Sequence, residues 1–231
     1  MRFLVFLATF VCLALPVRAE DAHRTLTVSG RGEVATSPDM AMLSVGVESS
    51  DITARGAMEA NATVMANLFA AIYSEKSIEG RDIRTSAFSL APQRELRRNA
   101  SNDEPRIIGY TAGNTVTIRI RDLASIGPLL DAVIRSGANR IHSISFGLQD
   151  SSDLLDQARA LAVSDALRKA SLYAHAAGVT VGRVLSISET GAGMPMLRGM
   201  SVAQTEMAIA VPVEAGELSL TAQVQVVMEI E

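Results

Sequence analysis

Four methionines, Met194, Met196, Met200 and Met207, fall within fourteen residues of a segment that also holds Gly191, Gly193 and Pro195. Thioethers are soft ligands that select Cu(I), so these four are the candidate metal ligands of the chain. The same side chains would serve as an oxidation sink or an adaptable contact surface, and as plain loop filling they need no ligand at all. Other ligand types are scarce. The sequence holds three histidines, His23, His142 and His175, and one cysteine, Cys12. No histidine and carboxylate fall at the close spacing of a zinc site, and no second cysteine completes one. Nucleophilic hydrolysis needs a nucleophile, a base and an orienting acid, and no Gly-x-Ser-x-Gly turn occurs. Gly191-Ala192-Gly193 lacks the Lys-Ser/Thr ending of a phosphate loop. No catalytic residue and no cofactor is therefore assigned. Arg94, Arg97, Arg98 and Arg106 cluster with Glu95, Asp103 and Glu104. This mixed-charge group reads as a solvated hairpin tip, or as a contact with anionic lipid head groups or another subunit. The sequons at Asn61 and Asn99 are read as coincidence.

The elements that must position these residues follow from periodicity. Leu26, Val28 and Gly30 alternate with polar residues, and after Ser37-Pro38-Asp39 so do Ala41, Leu43, Val45 and Val47, giving two strands. Asp51 and Thr53 are caps for a helix whose apolar residues are Ala57, Val64, Leu68 and Ile72 and which ends before Gly80. Strands are predicted over Asp82 to Glu95 and Ile107 to Ile120, with Leu96 to Arg106 as the tip between them. A short helix follows from Asp122 to about Arg135, then a strand from Ile141 to Leu148. Ser151, Ser152 and Asp153 open a long helix, with Gly178 in the C-cap place. Its apolar stripe is read as Leu154, Ala158, Leu161, Ala162, Ala166, Ala170 and Tyr173. Val179 to Ser188 is a strand. The last one alternates without a fault from Leu218 to Ile230, and a strand of that length either spans a large sheet or projects to pair with something else. The order strand–helix–strand–strand occurs twice, which predicts an α+β fold with helices packed on mostly antiparallel sheet. Two such units would join near residues 121–140.

Arg2, the uncharged and largely apolar run Phe3 to Leu15, Pro16 and Val17-Arg18-Ala19 form the three parts of a secretory signal. The run is too short to cross a bilayer core, which takes roughly 20 residues. Cleavage after Ala19 removes Cys12 and leaves residues 20–231 as a cysteine-free periplasmic chain, suited to an oxidising compartment. Phe10 and Val11, before Cys12, are too large for a lipoprotein cleavage site. Loss of Arg2 and Arg18 takes the net charge from −4 to −6, a poor balance for neutralising nucleic-acid phosphates. With aromatics at 4% and no Trp, the core must be built from Ala, Val, Leu and Ile.

Several segments resemble the SIMPL-domain family, a group of exported bacterial proteins that includes periplasmic immunogenic and outer-membrane antigens. They are Val28-Ser29-Gly30-Arg31-Gly32-Glu33, Ser37-Pro38-Asp39 with Ser44 to Glu48, Asp82 to Ser86, Gly109-Tyr110 and Asn114-Thr115-Val116. Gly137-Ala138-Asn139-Arg140-Ile141 and Ile144 to Leu148 continue the pattern, then Ala176 to Val179, Gly182-Arg183-Val184 and Pro212 to Glu217. Ala215 stands where the family often has proline, and the segment before Pro212 is unusually rich in Met. The resemblance implies an α+β fold, large ring-like or channel-like assemblies in some members, and a link to envelope or oxidative stress. It brings no catalytic residue set.

The expectation is thus a non-enzymatic periplasmic protein that self-associates into a homo-oligomer through long strands and helices, with envelope or outer-membrane contact and no nucleic-acid partner. The alternative is a monomeric stress-protective binding or chaperone-like module that holds copper on the Met-rich loop.

Overall fold

Alternating residues from Thr25 to Asp51 make two strands because Pro38 has no backbone donor and interrupts the ladder. They are β1 (Thr25–Thr36) and β2 (Met40–Asp51). The computed structural model describes residues 24–95, 106–192, 196–197 and 215–231. Next come α1 (Ala54–Ser74), β3 (Ile83–Arg94), β4 (Ile107–Ile120), α2 (Ile126–Arg135), β5 (Arg140–Gly147), α3 (Ser152–Ala177), β6 (Val181–Ala192), the two-residue β7 (Met196–Leu197) and β8 (Leu218–Ile230). Thr53 caps α1 through its hydroxyl, which accepts from Gly56 N–H at 3.0 Å. Gly178 closes α3 with φ 69°, the left-handed conformation that glycine adopts without strain.

The strands form two antiparallel sheets, as an α+β fold requires. One runs β1-β8-β6, with β7 also paired to β8; the other runs β3-β4-β2-β5. The second sheet lies within the chain of the first, between β1 and α3. The two connections touch: Asp39 N–H donates to Gly147 C=O at 3.1 Å, and Gln149 N–H to Asp39 Oδ1 at 2.7 Å. Residues 121–140 hold α2, which packs with α1 on the second sheet. Each sheet has its own core. In the second, Leu43, Val45, Val116, Ile118 and Ile120 meet Leu68 and Ile72 of α1 and Leu129 and Val133 of α2. Arg121 at the end of β4 donates to the buried Asp82 carboxylate at 2.6 Å and ties down the start of β3.

The last strand does not project. β8 is the central strand of its sheet, paired with β1 from Leu218 to Glu229 and with β6 from Ala222 to Ile230. Its backbone is used on both sides, so the expectation that it joins a partner is replaced by a structural role inside the monomer.

The fully buried residues of helix α3, Ala158, Ala162, Ala166, Ala170 and Ala174, are all alanine, and they pack on β1 and β8 with Val163 partly buried beside them. Leu161 and Tyr173, expected in the stripe, point to solvent at 50% and 52% exposure. The reason lies opposite. A Cβ on Gly30 would stand 1.9 Å from Ala162 O, and one on Gly32 the same distance from Ala158 O. The helix backbone rests on the strand backbone, and only a methyl group fits at the seam.

Side chains of α3 also reach the outer edge of β1. Asp165 accepts from Arg31 N–H at 3.0 Å, and Lys169 Nζ donates to Ser29 C=O at 3.0 Å. Hydrogen bonds from Lys169, Arg31 N–H and Arg168 hold the Asp165 carboxyl well below its ordinary value of 3.8. A group depressed on folding contributes stability that is present above that ordinary value and lost as pH falls through the folded one. Asp165→Asn is therefore expected to melt below the wild type at pH 7, and the gap should narrow as pH drops below about 4. A gap independent of pH, followed by thermal melts across that range, would refute this account of Asp165.

Candidate functional site

The open face of the second sheet carries the polar side chains that β2, β4 and β5 turn away from the helices. Since Val45 and Val47 face the core, Gly46 and Glu48 face outward, as Thr115 does on β4. The β5 register breaks here: Ile141 pairs Val45 and Ser143 pairs Ser44, so His142 is the extra residue of a bulge. It turns onto the open face, where its Nε2 lies 3.3 Å from Thr115 Oγ1. Gly46 leaves the room, because a Cβ there would stand 3.2 Å from His142 Nε2 and 2.8 Å from Asn114 O. The result is a cleft of about 310 Å³ lined by Gly46, Glu48, Ser89, Thr115, Arg140 and His142.

Two asparagines fix its walls. Asn139 accepts from Glu48 N–H and donates to Glu48 C=O, both at 2.8 Å, which adds one side-chain rung to the β2–β5 ladder. It follows Gly137, at φ 101°, and the buried Ala138. Beside it Arg140 binds the Glu48 carboxylate at 2.7 Å, and that hydrogen bond raises the guanidinium above its ordinary pKa. Behind the sheet, the buried Asn61 of α1 donates from Nδ2 to Val47 O at 2.9 Å and Ala112 O at 3.1 Å. Its sequence signal was a polar residue at helical spacing from Ala57, Leu68 and Ile72, which the sequon reading passed over.

Chemically the cleft offers hydroxyls, an imidazole and a guanidinium–carboxylate pair that neutralise each other, an arrangement for hydrogen bonding a small polar molecule. Among the described residues no carboxylate is hydrogen-bonded to His142, and no cluster of three or more His, Cys, Asp or Glu could hold a metal. Of the other sequence candidates, His175 is exposed near the end of α3, and His23 lies outside the described residues. Met194, Met200 and Met207 also lie outside them, while the backbone of Met196 pairs with Ser219 in β7. Gly191 and Ala192 belong to β6, opposite Gln223 and Ala222, instead of forming a loop; Gly193 lies outside the described residues. Arg94 and Arg106 stand at the base of the β3–β4 hairpin, where Glu95 N–H donates to Arg106 C=O at 2.9 Å; Arg97, Arg98, Asp103 and Glu104 lie outside the described residues.

The model of the family described as "SIMPL: Protein of unknown function (DUF541)" matches residues 26–228. The chain belongs to the SIMPL family. Its match begins in β1 and ends in β8, so the family pattern takes in both sheets. The chain is similar to the 26 kDa periplasmic immunogenic protein of Brucella melitensis, at 36% identity over 94% of this chain and 91% of that one. It is also similar to two proteins named Uncharacterized protein YggE. That of Edwardsiella ictaluri is 28% identical over 70% of this chain and 66% of its own length. That of Escherichia coli K12 is 25% identical over 89% and 83%. The family motifs now have physical reasons: Gly30 and Gly32 admit α3, and Asn139 and Arg140 complete the edge of β2.

Asn61→Ala strips two buried carbonyls of their donor and is expected to cost about 1–3 kcal/mol in urea unfolding. Glu48→Gln breaks a pair exposed on both sides and is expected to leave the unfolding midpoint unchanged. The reverse order of effects would contradict the roles given to these two residues.

Proposed function

We propose that this chain is a non-enzymatic periplasmic envelope protein that works as a self-associated assembly. The observation that carries the reading is apolar exposure on edge strands. Phe88 and Leu90 are exposed on β3, and Val184, Leu185 and Ile187 on β6, each strand lying at the end of its sheet. Exposed apolar edges are where chains pair with other chains. Periplasmic location is supported by the three-part leader and by the name of the Brucella relative. No helix among the described residues is long and apolar enough to cross a membrane. A role in envelope or oxidative stress rests on the family resemblance and belongs to the same proposal.

The full chain, expressed with its leader in a bacterial host, is expected in the periplasmic fraction with Glu20 at its N-terminus. Light scattering should give a mass of several subunits. A monomer at micromolar concentration would overturn self-association, and an uncleaved N-terminus would overturn the export assignment.

A further inference from the structure

We propose that the cleft over Gly46 and Gly113 binds a small zwitterion, an α-amino acid with a hydroxyl-bearing side chain. Its carboxylate lies on Arg140 and its ammonium on Glu48.

Both neighbours of the β2–β4 pair bulge here, within one rung of each other. On β5 the extra residue is His142, opposite the step from Ser44 to Val45; on β3 it is Ser86, opposite the step from Val116 to Thr115. Val45 and Val116 are themselves paired, so the two irregularities flank one stretch of the inner strands. Bulges disrupt the ladder, re-aim side chains and gather beside functional sites. One of these turns His142 over Gly46, and the other lets the Ser86 hydroxyl donate to Thr115 C=O at 3.2 Å.

Between the bulges the floor is bare backbone. Gly46 and Gly113 lie in the two inner strands, where glycine weakens a strand and marks a close approach. A Cβ on Gly46 would stand 3.1 Å from Thr115 Oγ1, and one on Gly113 would stand 2.8 Å from Ser89 Oγ. Polar side-chain atoms thus rim a depression whose floor carries no side chain. No aromatic side chain among the described residues lines it. At about 310 Å³ it is at the small end of ligand sites, which suits one amino acid better than a peptide.

The charges select the ligand. Arg140 Nη2 holds Glu48 Oε2 at 2.7 Å, and the two side chains are 55% and 42% exposed. A guanidinium has five donors and a carboxylate about four acceptor sites, so one contact leaves most of each unused. A simple anion is drawn to Arg140 and repelled by Glu48, and a simple cation meets the reverse. A molecule with both charges side by side completes an alternating square with the pair. Bond lengths in an α-amino acid place the ammonium nitrogen roughly 3 Å from the nearer carboxylate oxygen. That spacing matches the 2.7 Å between Nη2 and Oε2. Thr115, His142 and Ser89 then address the other end of the ligand, and all three hydrogen-bond a hydroxyl.

Equilibrium dialysis of the full chain against radiolabelled L-serine tests this in any state of assembly. Saturable uptake is expected, displaced by unlabelled L-serine but not by equal concentrations of acetate or methylamine. β-Alanine, with its charges one carbon further apart, should compete about fivefold less well, the worth of one exposed ion contact. Glu48→Gln and Arg140→Gln should each weaken binding about tenfold, the worth of one charge-assisted hydrogen bond. Gly113→Ala, whose methyl group meets only the Ser89 hydroxyl, should keep the circular dichroism of the parent and lose affinity. His142→Ala should lose the preference for L-serine over L-alanine. Arg183→Gln breaks the exposed pair with Glu229 on the other sheet and should bind as the parent does. The proposal is overturned by an absence of saturable uptake or by displacement with acetate or methylamine alone. Full binding by folded Glu48→Gln and Arg140→Gln would overturn it as well.

Discussion

The backbone of one helix lies against the backbone of one strand, and most of the molecule follows from that approach. Gly30 and Gly32 offer no side chain, and Ala158 and Ala162 sit on them so closely that a single methyl group on either glycine would strike a helix carbonyl. Protein interiors are packed like organic crystals, so such a seam fixes the position of α3 to fractions of an ångström. Alanine every four residues carries it along the helix and brings Ala166 and Ala170 into the same core as Val224 and Val226. Because α3 is pinned there, Asp165 and Lys169 reach the edge of β1, while among the described residues Val184, Leu185 and Ile187 of β6 stay exposed at the far side of the sheet.

The second sheet is held by other means. Its core is conventional aliphatic packing of two helices on one face, and several polar groups at its margin tie strands together. Asn61 supplies donors to two strand carbonyls, Asp82 and Arg121 tie β3 to β4, and Asn139 mimics one more residue of β5. Such bonded polar groups add to the register that the buried aliphatic face already imposes. That register sets the open-face cleft, where the bulge turns His142 outward toward Thr115. The clamp between Asp39 and Gly147 then holds together the two places where the chain passes between the sheets.

Much of this was legible in the residues. The alternation of Leu218 to Ile230 located a strand and its buried face, and caps at Thr53 and Gly178 marked helix ends that the structure keeps. Length and regularity did not reveal that this strand is central, because strand order is decided by pairing partners distant in sequence. The helix stripe was misread at Leu161 and Tyr173 for a physical reason. Periodicity weights large apolar residues as buried, whereas a seam against glycine accepts only small ones. His142 could not be placed as a site residue, since a bulge leaves no periodic trace. Asn61 was visible as a polar residue on an apolar face but carried no sign of which carbonyls it serves.

The most direct measurement of the central contact is the unfolding free energy of Gly30→Ala in the full chain. The added Cβ meets helix backbone, which cannot rotate aside as a side chain would, so α3 must lift from β1. The account predicts a loss of about 3 kcal/mol, at the upper end of overpacking penalties, with Arg31 N–H exchanging faster as Asp165 is drawn away. A loss below about 0.5 kcal/mol with that amide still protected would mean that the glycine–alanine seam does not govern the fold.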